Sequence, residues 1–223
     1  MAKQLAALKG RIPDQLSTIL ERGGISELRP SQQKAINAGL LDGQNLLVCT
    51  PTASGKTLIA ELLMLSYILN RKGTAIYIVP LKALGSEKYR EFSERYQDVC
   101  RVALSIGDLD SADPYLADYD LIVTTSEKLD SLIRHSAPWL KKVGCVVIDE
   151  IHLLNDPDRG PTLEILITML RELLKNIQLL GLSATIGNPK ELAQWLDAKL
   201  VQDSWRPVKL AQGIYRDGII TYA

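Results

Sequence analysis

The sequence has little cysteine, no net charge and no long apolar run. Its three cysteines, Cys49, Cys100 and Cys145, are far apart and form no Cys-x-x-Cys pair. An odd, scattered set excludes a disulfide framework and a zinc site built from paired cysteines, so we expect reduced thiols in the core. No segment is apolar over the length that crosses a bilayer, and the N-terminus lacks the features of a secretory signal. We therefore expect a cytoplasmic protein without a membrane partner.

The balance of charge excludes a uniformly basic nucleic-acid binder. The chain has 26 Lys and Arg residues, 26 Asp and Glu residues and a formal net charge of zero. A protein that holds a phosphate backbone through N–H groups and hydroxyls needs no large positive charge, so composition is silent on nucleic acid. With 223 residues, 46% of them hydrophobic, the chain is long enough for one large domain or two small ones.

Short apolar and β-branched runs alternate with helical patterns. The predicted strands are Leu46 to Cys49, Ala75 to Val79, Val102 to Ile106, Leu121 to Thr124, Val143 to Ile148 and Ile177 to Leu182. The predicted helices are Pro13 to Glu21, Pro30 to Leu41, Lys56 to Asn70, Ala83 to Tyr96, Ser126 to His135, Thr162 to Lys175 and Pro189 to Leu196. This alternation predicts an α/β fold with a doubly wound, mainly parallel sheet flanked by helices. The tail from Trp205 to Ala223 predicts a strand pair or a linker.

A phosphate-binding loop is predicted between the first strand and the helix after it. The segment Thr50 to Thr57 matches the pattern G-x-x-x-x-G-K-[ST], except that Thr50 replaces the first glycine. Backbone N–H groups of such a loop bind phosphate oxygens, and Lys56 adds a positive charge. The predicted nucleotide-binding residues are Thr52, Ala53, Ser54, Gly55, Lys56 and Thr57, and Thr57 is also predicted to bind Mg²⁺. The alternative is a capped helix N-terminus that binds nothing.

An acidic pair follows a second buried strand. Asp149 and Glu150 come directly after Val146-Val147-Ile148, which places both at the carboxyl edge of a parallel sheet, where open α/β folds bind ligands. Phosphoryl transfer needs a metal ligand and a group that takes a proton from the attacking water, and we assign these roles to Asp149 and Glu150. With Lys56 they are the predicted catalytic residues of a nucleotide triphosphatase. The alternative is a solvated acidic turn.

Several short segments, taken in order, resemble a known family. They are Leu28-Arg29-Pro30-Ser31-Gln32, Thr50 to Thr57, Val79-Pro80-Leu81-Lys82-Ala83-Leu84, Ser105-Ile106-Gly107-Asp108, Val123-Thr124-Thr125-Ser126-Glu127-Lys128, Asp149-Glu150-Ile151-His152 and Ser183-Ala184-Thr185. Their order and spacing resemble the N-terminal, RecA-like motor lobe of superfamily 2 helicases over nearly the whole chain. Asp149 to His152, Arg159 to Glu164 and Ser204 to Val208 resemble the Ski-type DExH branch, and within it the archaeal DNA helicases of stalled replication forks.

The resemblance implies roles for further residues. Gln32 is implied to read the adenine edge, which favours ATP, whereas Arg29 stands where the family often has an aromatic residue. The residues implied to hold the backbone of one nucleic-acid strand are Pro80, Lys82, Gly107, Thr124 and Thr125. Those implied to couple hydrolysis to movement or to a neighbouring lobe are His152, Ser183 and Thr185. The implied division is 1–43 with the adenine motif, 44–203 as the ATP-binding lobe and 204–223 as a linker.

No Gln-x-x-Gly-Arg-x-x-Arg segment follows Thr185, so we expect the second motor lobe with its arginine finger to lie outside this sequence. The chain is then a fragment that binds ATP and Mg²⁺ but hydrolyses slowly, with that lobe and single-stranded or forked DNA as partners. The implied function of the complete protein is ATP-dependent 3′-5′ DNA unwinding in replication-fork repair and recombination. Open alternatives are an RNA helicase of the same type and a non-motor, ATP-dependent interaction module. A P-loop kinase is disfavoured because no acceptor lid is evident.

Overall fold

A parallel sheet forms the centre of the fold. The computed structural model describes residues 8, 10–107, 112–174, 176–208, 211 and 213–222. The strands of the sheet are β1 (Leu46–Cys49), β2 (Thr74–Val79), β3 (Val102–Ser105), β4 (Leu121–Thr125), β5 (Val143–Ile148), β6 (Gln178–Ser183) and β7 (Lys199–Gln202). Their order is β3-β4-β2-β5-β6-β1-β7, and every neighbouring pair is parallel. The carboxyl ends of all these strands therefore lie at one edge, as the sequence predicts.

Helices cover both faces of this sheet. They are α1 (Asp14–Arg22), α2 (Pro30–Asn37), α3 (Lys56–Leu69), α4 (Lys82–Tyr96), α5 (Ser126–Arg134), α6 (Gly160–Leu173) and α7 (Pro189–Trp195). Short 3-10 helices lie at Pro114–Asp118, Pro138–Lys142 and Ile151–Asn155. The first four α-helices share one hydrophobic core with the sheet, and the last three share a second core. Alternate residues of β1 enter different cores, which explains why its sequence is apolar without interruption.

Two composition-based predictions are tested directly. Cys49, Cys100 and Cys145 are free and buried, which confirms that they form no disulfide framework. Burial raises the pKa of the Cys100 thiol to about 12, so it remains protonated at neutral pH. Within the described part of the chain, no helix is both long enough and apolar enough to cross a membrane.

Most predicted elements agree with the structure within two residues, but α2 ends earlier than predicted. It stops at Asn37 instead of Leu41, because Gly39 takes a φ of +104° and the Leu40 N–H bonds to the Ala35 carbonyl. Strand β7 was not predicted; it is a four-residue edge strand in which only Val201 is buried. Asp108, Lys175 and Ala223, which belong to predicted segments, lie outside the described residues.

The tail contains a strand pair, one of the two arrangements predicted for it. Strands β8 (Gly213–Arg216) and β9 (Ile219–Tyr222) pair in antiparallel register, with every residue exposed. Asp203 and Trp205, just before this hairpin, lie against α2. Lys34 of α2 is 3.0 Å from the Asp203 carboxylate, and the Arg29 guanidinium lies 5.5 Å from the centre of the Trp205 ring. The segment after β7 is therefore docked beside the predicted adenine motif.

Candidate nucleotide and nucleic-acid site

The loop Thr50 to Gly55 connects β1 to α3 with a backbone suited to binding phosphate. Ala53 and Gly55 have φ values of +64° and +89°, and Gly55 is the N-cap of α3. The hydroxyls of Thr50 and Ser54 lie 2.7 Å apart and are buried, so they close the loop from within. Thr50, which replaces the expected glycine, thus stabilises the loop. Thr52 and Ala53 are exposed at its outer side.

Gln32 and Arg29 are docked onto this loop. The Gln32 amide accepts a 2.8 Å hydrogen bond from the Arg29 N–H and donates one of 3.0 Å to the Gly55 carbonyl. Arg29 Nη1 donates to the Ala53 carbonyl at 2.7 Å. Gln32 is only 2% exposed, but its amide keeps a second N–H and a second lone pair that these bonds do not use. The adenine motif and the phosphate loop therefore form one hydrogen-bonded unit.

Lys56 joins this loop to the end of β6. Its Nζ donates to the carbonyl of Thr50 at 3.3 Å and to the carbonyl of Ser183 at 3.2 Å. The Thr50 N–H also bonds to the Ser183 carbonyl. Ser183 is fully buried, whereas Thr185, two residues further on, is exposed. The segment predicted to couple hydrolysis to movement thus begins at Ser183, which contacts Lys56, and ends at Thr185 on the surface.

The acidic pair lies at the end of β5 with its carboxylates oriented by specific bonds. Asp149 Oδ2 accepts a 2.7 Å hydrogen bond from the Tyr77 hydroxyl, and Asp149 Oδ1 accepts one of 3.0 Å from the Glu150 N–H. Glu150 has a φ of +49°, an uncommon backbone conformation for a residue other than glycine, asparagine or aspartate. Its carboxylate lies 3.2 Å from Nδ1 of His152, and both side chains are about one-third exposed. Glu150 Oε2 is buried beside His152, so only the rest of this partly exposed side chain is open to solvent.

A cleft of about 490 Å³ opens beside Gln32, Gly55 and Thr57. Its far wall carries Glu61, which is 3% exposed and 2.6 Å from the guanidinium of Arg95. Burial raises the pKa of Glu61 to about 7, an effect larger than the opposite effect of Arg95. The cleft begins at the adenine motif and at the first turn of α3, so its position fits a nucleotide.

The predicted protein ligands of a metal ion are Thr57 and Asp149, which follow different strands at the same edge of the sheet. A hydroxyl and a carboxylate are the oxygen ligands that Mg²⁺ prefers, with waters and phosphates completing its shell. Among the described residues there is no group of three or more His, Cys, Asp or Glu side chains that would bind a metal alone. The donor set therefore fits a metal that arrives together with a nucleotide.

The predicted nucleic-acid residues lie at the other half of the same edge. Pro80 follows β2, Gly107 follows β3 and Thr125 ends β4, and these three strands are neighbours in the sheet. Lys82 is exposed in the first turn of α4, and Gly107 has a φ of +106° with open space where a Cβ would lie. The predicted nucleotide residues in the loop after β1 and in the acidic pair after β5 lie instead in the β5-β6-β1 half of the sheet. One edge of the sheet thus carries both sets side by side.

Thr124 and Thr125 differ from the others of this set because both are buried. The Thr124 hydroxyl donates to the Thr125 carbonyl, and the Thr125 hydroxyl caps α5 by accepting from the Lys128 N–H at 3.4 Å. These threonines shape the start of α5. Their predicted contact with a phosphate backbone stays a prediction, as do the contacts of Pro80, Lys82 and Gly107.

Sequence reasoning missed several residues that orient the site. Tyr77 is fully buried inside β2, Glu61 lies inside α3, and Trp205 lies in the tail. Each acts on a residue far away in the chain, Asp149, Arg95 and Arg29 respectively, so no local motif includes both partners. A polar atom inside an otherwise apolar strand, as in Thr74-Ala75-Ile76-Tyr77, is the signal that was available for Tyr77.

Comparison with known proteins gives consistent matches. Residues 29–192 match the model of the DEAD/DEAH box helicase family. The chain is 49% identical over 210 residues to "ATP-dependent DNA helicase Hel308" of Pyrococcus horikoshii, a match that covers 94% of the chain and 29% of that protein. It is 55% identical over 218 residues to the protein of the same name from Methanocaldococcus jannaschii, covering 94% of the chain and 18% of that protein.

A solved structure gives a similar result. The DUF1998 helicase MrfA bound to DNA aligns with a TM-score of 0.73 and 28% sequence identity, over 87% of the chain and 30% of that protein. The chain spans less than a third of the length of each of these proteins.

Proposed function

The chain belongs to the DEAD/DEAH box helicase family, and from that premise we propose that it is the ATP-binding motor lobe of an ATP-dependent DNA helicase. The observation that carries the proposal is the position of Lys56. Its Nζ contacts the carbonyls of Thr50 and Ser183, so the phosphate loop is bonded to the strand that leads to Thr185. A movement of Lys56 on binding or release of phosphate would therefore act directly on Ser183 and, through it, on Thr185 at the surface.

The family implies the use of ATP and a divalent metal, and we assign the residues. Gln32 and the loop Thr52 to Thr57 bind the nucleotide, and the cleft beside Glu61 accommodates its base and sugar. Bound Mg²⁺ would neutralise phosphate charge, with Thr57 and Asp149 as its protein ligands. Glu150 accepts the proton of the attacking water, and its partial exposure and its neighbour His152 fit that role.

We further propose that the β3-β4-β2 half of the edge binds one strand of single-stranded or forked DNA. Lys82 supplies a positive charge for a phosphate, and Gly107 offers an accessible backbone. The strand ends are shaped by Pro80, Thr124 and Thr125. Translocation 3′ to 5′, action at replication forks in repair and recombination, and a second lobe carrying an arginine finger follow from the relatives and the resemblance. Hydrolysis would be coupled to the movement of that lobe through His152, Ser183 and Thr185.

The test measures binding of a fluorescent ATP analogue with Mg²⁺ and ATP hydrolysis by the 223-residue chain, with and without single-stranded DNA or RNA. We expect Lys56→Ala to lose nucleotide binding and Glu150→Gln to keep it. We also expect slow turnover, since an arginine finger contributes roughly 10³ to 10⁵ in rate. Stronger stimulation of ATP hydrolysis by DNA than by RNA supports DNA as the strand on which the protein moves. Fast ATP turnover that is independent of nucleic acid, or ATP turnover that is unchanged in Glu150→Gln, would contradict the proposal that the chain is a helicase motor lobe.

A further inference from the structure

Lys128 of α5 is a charged residue in the protein interior. Its side chain is 2% exposed, and its Nζ lies 3.0 Å from Oδ2 of Asp113. A buried ammonium is costly unless it is paired, and a buried pair often stabilises a fold no better than apolar residues of the same size. The position of this pair therefore calls for an explanation beyond stability.

Asp113 contacts the end of β3. Its Oδ2 also accepts a 3.0 Å hydrogen bond from the Ser105 hydroxyl, which lies eight positions earlier at the end of β3. Asp113 itself has a φ of +44°. Gly107, one of the proposed nucleic-acid residues, comes two positions after Ser105. The end of β3 that leads to Gly107 is thus bonded to one buried carboxylate.

Lys128 connects Asp113 to the end of β4. Its backbone N–H donates to the Thr125 hydroxyl, which caps α5, while its ammonium binds Asp113. Strands β3 and β4 are neighbours, and Ser105 is paired in register with Thr124. Lys128 is therefore linked to two adjacent strand ends, to β4 through its own backbone and to β3 through Asp113, which bonds to Ser105.

We propose that Lys128 and Asp113 are positioning residues for nucleic-acid binding. Their ion pair holds Asp113, and through it Ser105 at the end of β3, against the first turn of α5, so that Gly107 and Thr125 keep a constant separation along one phosphate backbone. A defined spacing matters because successive phosphates of a strand must meet successive protein groups. The inference rests on the proposed function, since it refines how the β3-β4-β2 half of the edge binds a strand.

Lys128 differs from Lys82 in the way that it acts. Lys82 is exposed and is proposed to meet a phosphate itself, whereas the 2% exposure of the Lys128 side chain leaves no open surface for one. Loss of a direct phosphate contact reduces the salt dependence of single-strand binding by about 0.7 in the logarithmic slope. Loss of a positioning residue weakens binding and leaves that slope unchanged.

The experiment measures the affinity of the 223-residue chain for fluorescent oligo-dT at several salt concentrations. Lys128→Met and Asp113→Asn are each expected to raise Kd about tenfold, the scale of one charge-assisted hydrogen bond, without changing the salt slope or the affinity for the ATP analogue. Lys82→Ala should change the slope. Arg134→Met and Asp130→Asn, which break an ion pair on the same helix whose arginine is exposed, are the matched controls and should leave Kd within twofold.

Ser105→Ala provides an independent measurement if Lys128→Met does not fold. It removes one hydrogen bond to Asp113 and leaves the buried charges paired, and we expect a rise in Kd of about threefold. Lys128→Arg should retain most of the affinity. If the unsubstituted chain fails to bind oligo-dT, the proposed binding of a nucleic-acid strand by the β3-β4-β2 half of the edge falls, and this inference with it. If the unsubstituted chain binds and the folded Lys128, Asp113 and Ser105 variants bind equally well, only this inference is overturned.

Discussion

The Tyr77 hydroxyl donates a 2.7 Å hydrogen bond to Oδ2 of Asp149. Tyr77 is fully buried in β2, where its ring packs edge-on against Phe92 at 5.3 Å. Burial, together with the nearby Asp149 carboxylate, raises the pKa of Tyr77 well above its usual value, so the phenol remains a donor at any physiological pH. The tyrosine therefore fixes the orientation of the carboxylate that is proposed to bind Mg²⁺.

Tyr77→Phe should weaken metal binding while the chain remains folded. Without the phenol, Asp149 loses one of the two hydrogen bonds that orient it, and loss of such an outer contact typically costs about 10- to 100-fold in metal affinity. A Mg²⁺ titration of ATP-analogue binding measures the effect. Tyr67→Phe removes a hydroxyl from a tyrosine of α3 outside the site and is the control. Equal titration curves for Tyr77→Phe and the unsubstituted chain would contradict this role.

Gly55→Ala should destroy nucleotide binding for a steric reason. A Cβ at Gly55 would lie 2.6 Å from Gln32 Nε2 and 3.1 Å from the Arg29 side chain, at a φ of +89°. Gly43→Ala isolates the backbone cost, because Gly43 has a φ of +81° with nothing within 4 Å of a Cβ. We expect Gly43→Ala to lower the free energy of unfolding by about 1 kcal/mol and to keep ATP binding. Similar behaviour of the two variants in binding would show that the contact with Gln32 is unimportant.

The sequence predicts the site where the determinants are local. The strand, the loop Thr50 to Thr57 and the helix after it are contiguous, and the acidic pair follows directly on β5. Residues that act across the chain escaped prediction, since nothing in the sequence joins Tyr77 to Asp149 or Lys128 to Asp113. Strand β7 escaped prediction because a four-residue edge strand with one buried side chain has little hydrophobic pattern.

Trp205→Ala should weaken ATP binding through Arg29. The indole lies 5.5 Å from the Arg29 guanidinium, whose Nη1 bonds to the Ala53 carbonyl in the phosphate loop. An exposed cation–π contact contributes about 0.5 to 1 kcal/mol, so Kd for the ATP analogue should rise roughly two- to fivefold. Trp205→Phe keeps a ring there and should restore most of the affinity. An unchanged Kd in Trp205→Ala would show that the Trp205 side chain does not affect nucleotide binding.

Glu61 should make the stability of the chain depend on pH in a defined direction. Its folded-state pKa is raised by burial to about 7 from an ordinary value of 4.5, so the folded chain holds a proton that the unfolded chain releases between these values. Its contribution to stability is therefore present below pH 4.5 and is lost as pH rises through 7. At about 1.4 kcal/mol per pKa unit, the unsubstituted chain should lose about 3 kcal/mol relative to Glu61→Gln between pH 4.5 and 8.

Urea unfolding at several pH values measures this difference directly. Glu61→Gln removes the titration but also the 2.6 Å ion pair with Arg95, so the two chains are compared by their slopes with pH and not by their absolute stabilities. Glu94→Gln, which removes an exposed carboxylate from the neighbouring helix α4, controls for a general change in charge. Parallel slopes for the unsubstituted chain and Glu61→Gln would mean that Arg95 holds Glu61 ionised in the folded state. The wall of the cleft would then carry a permanent ion pair across this pH range.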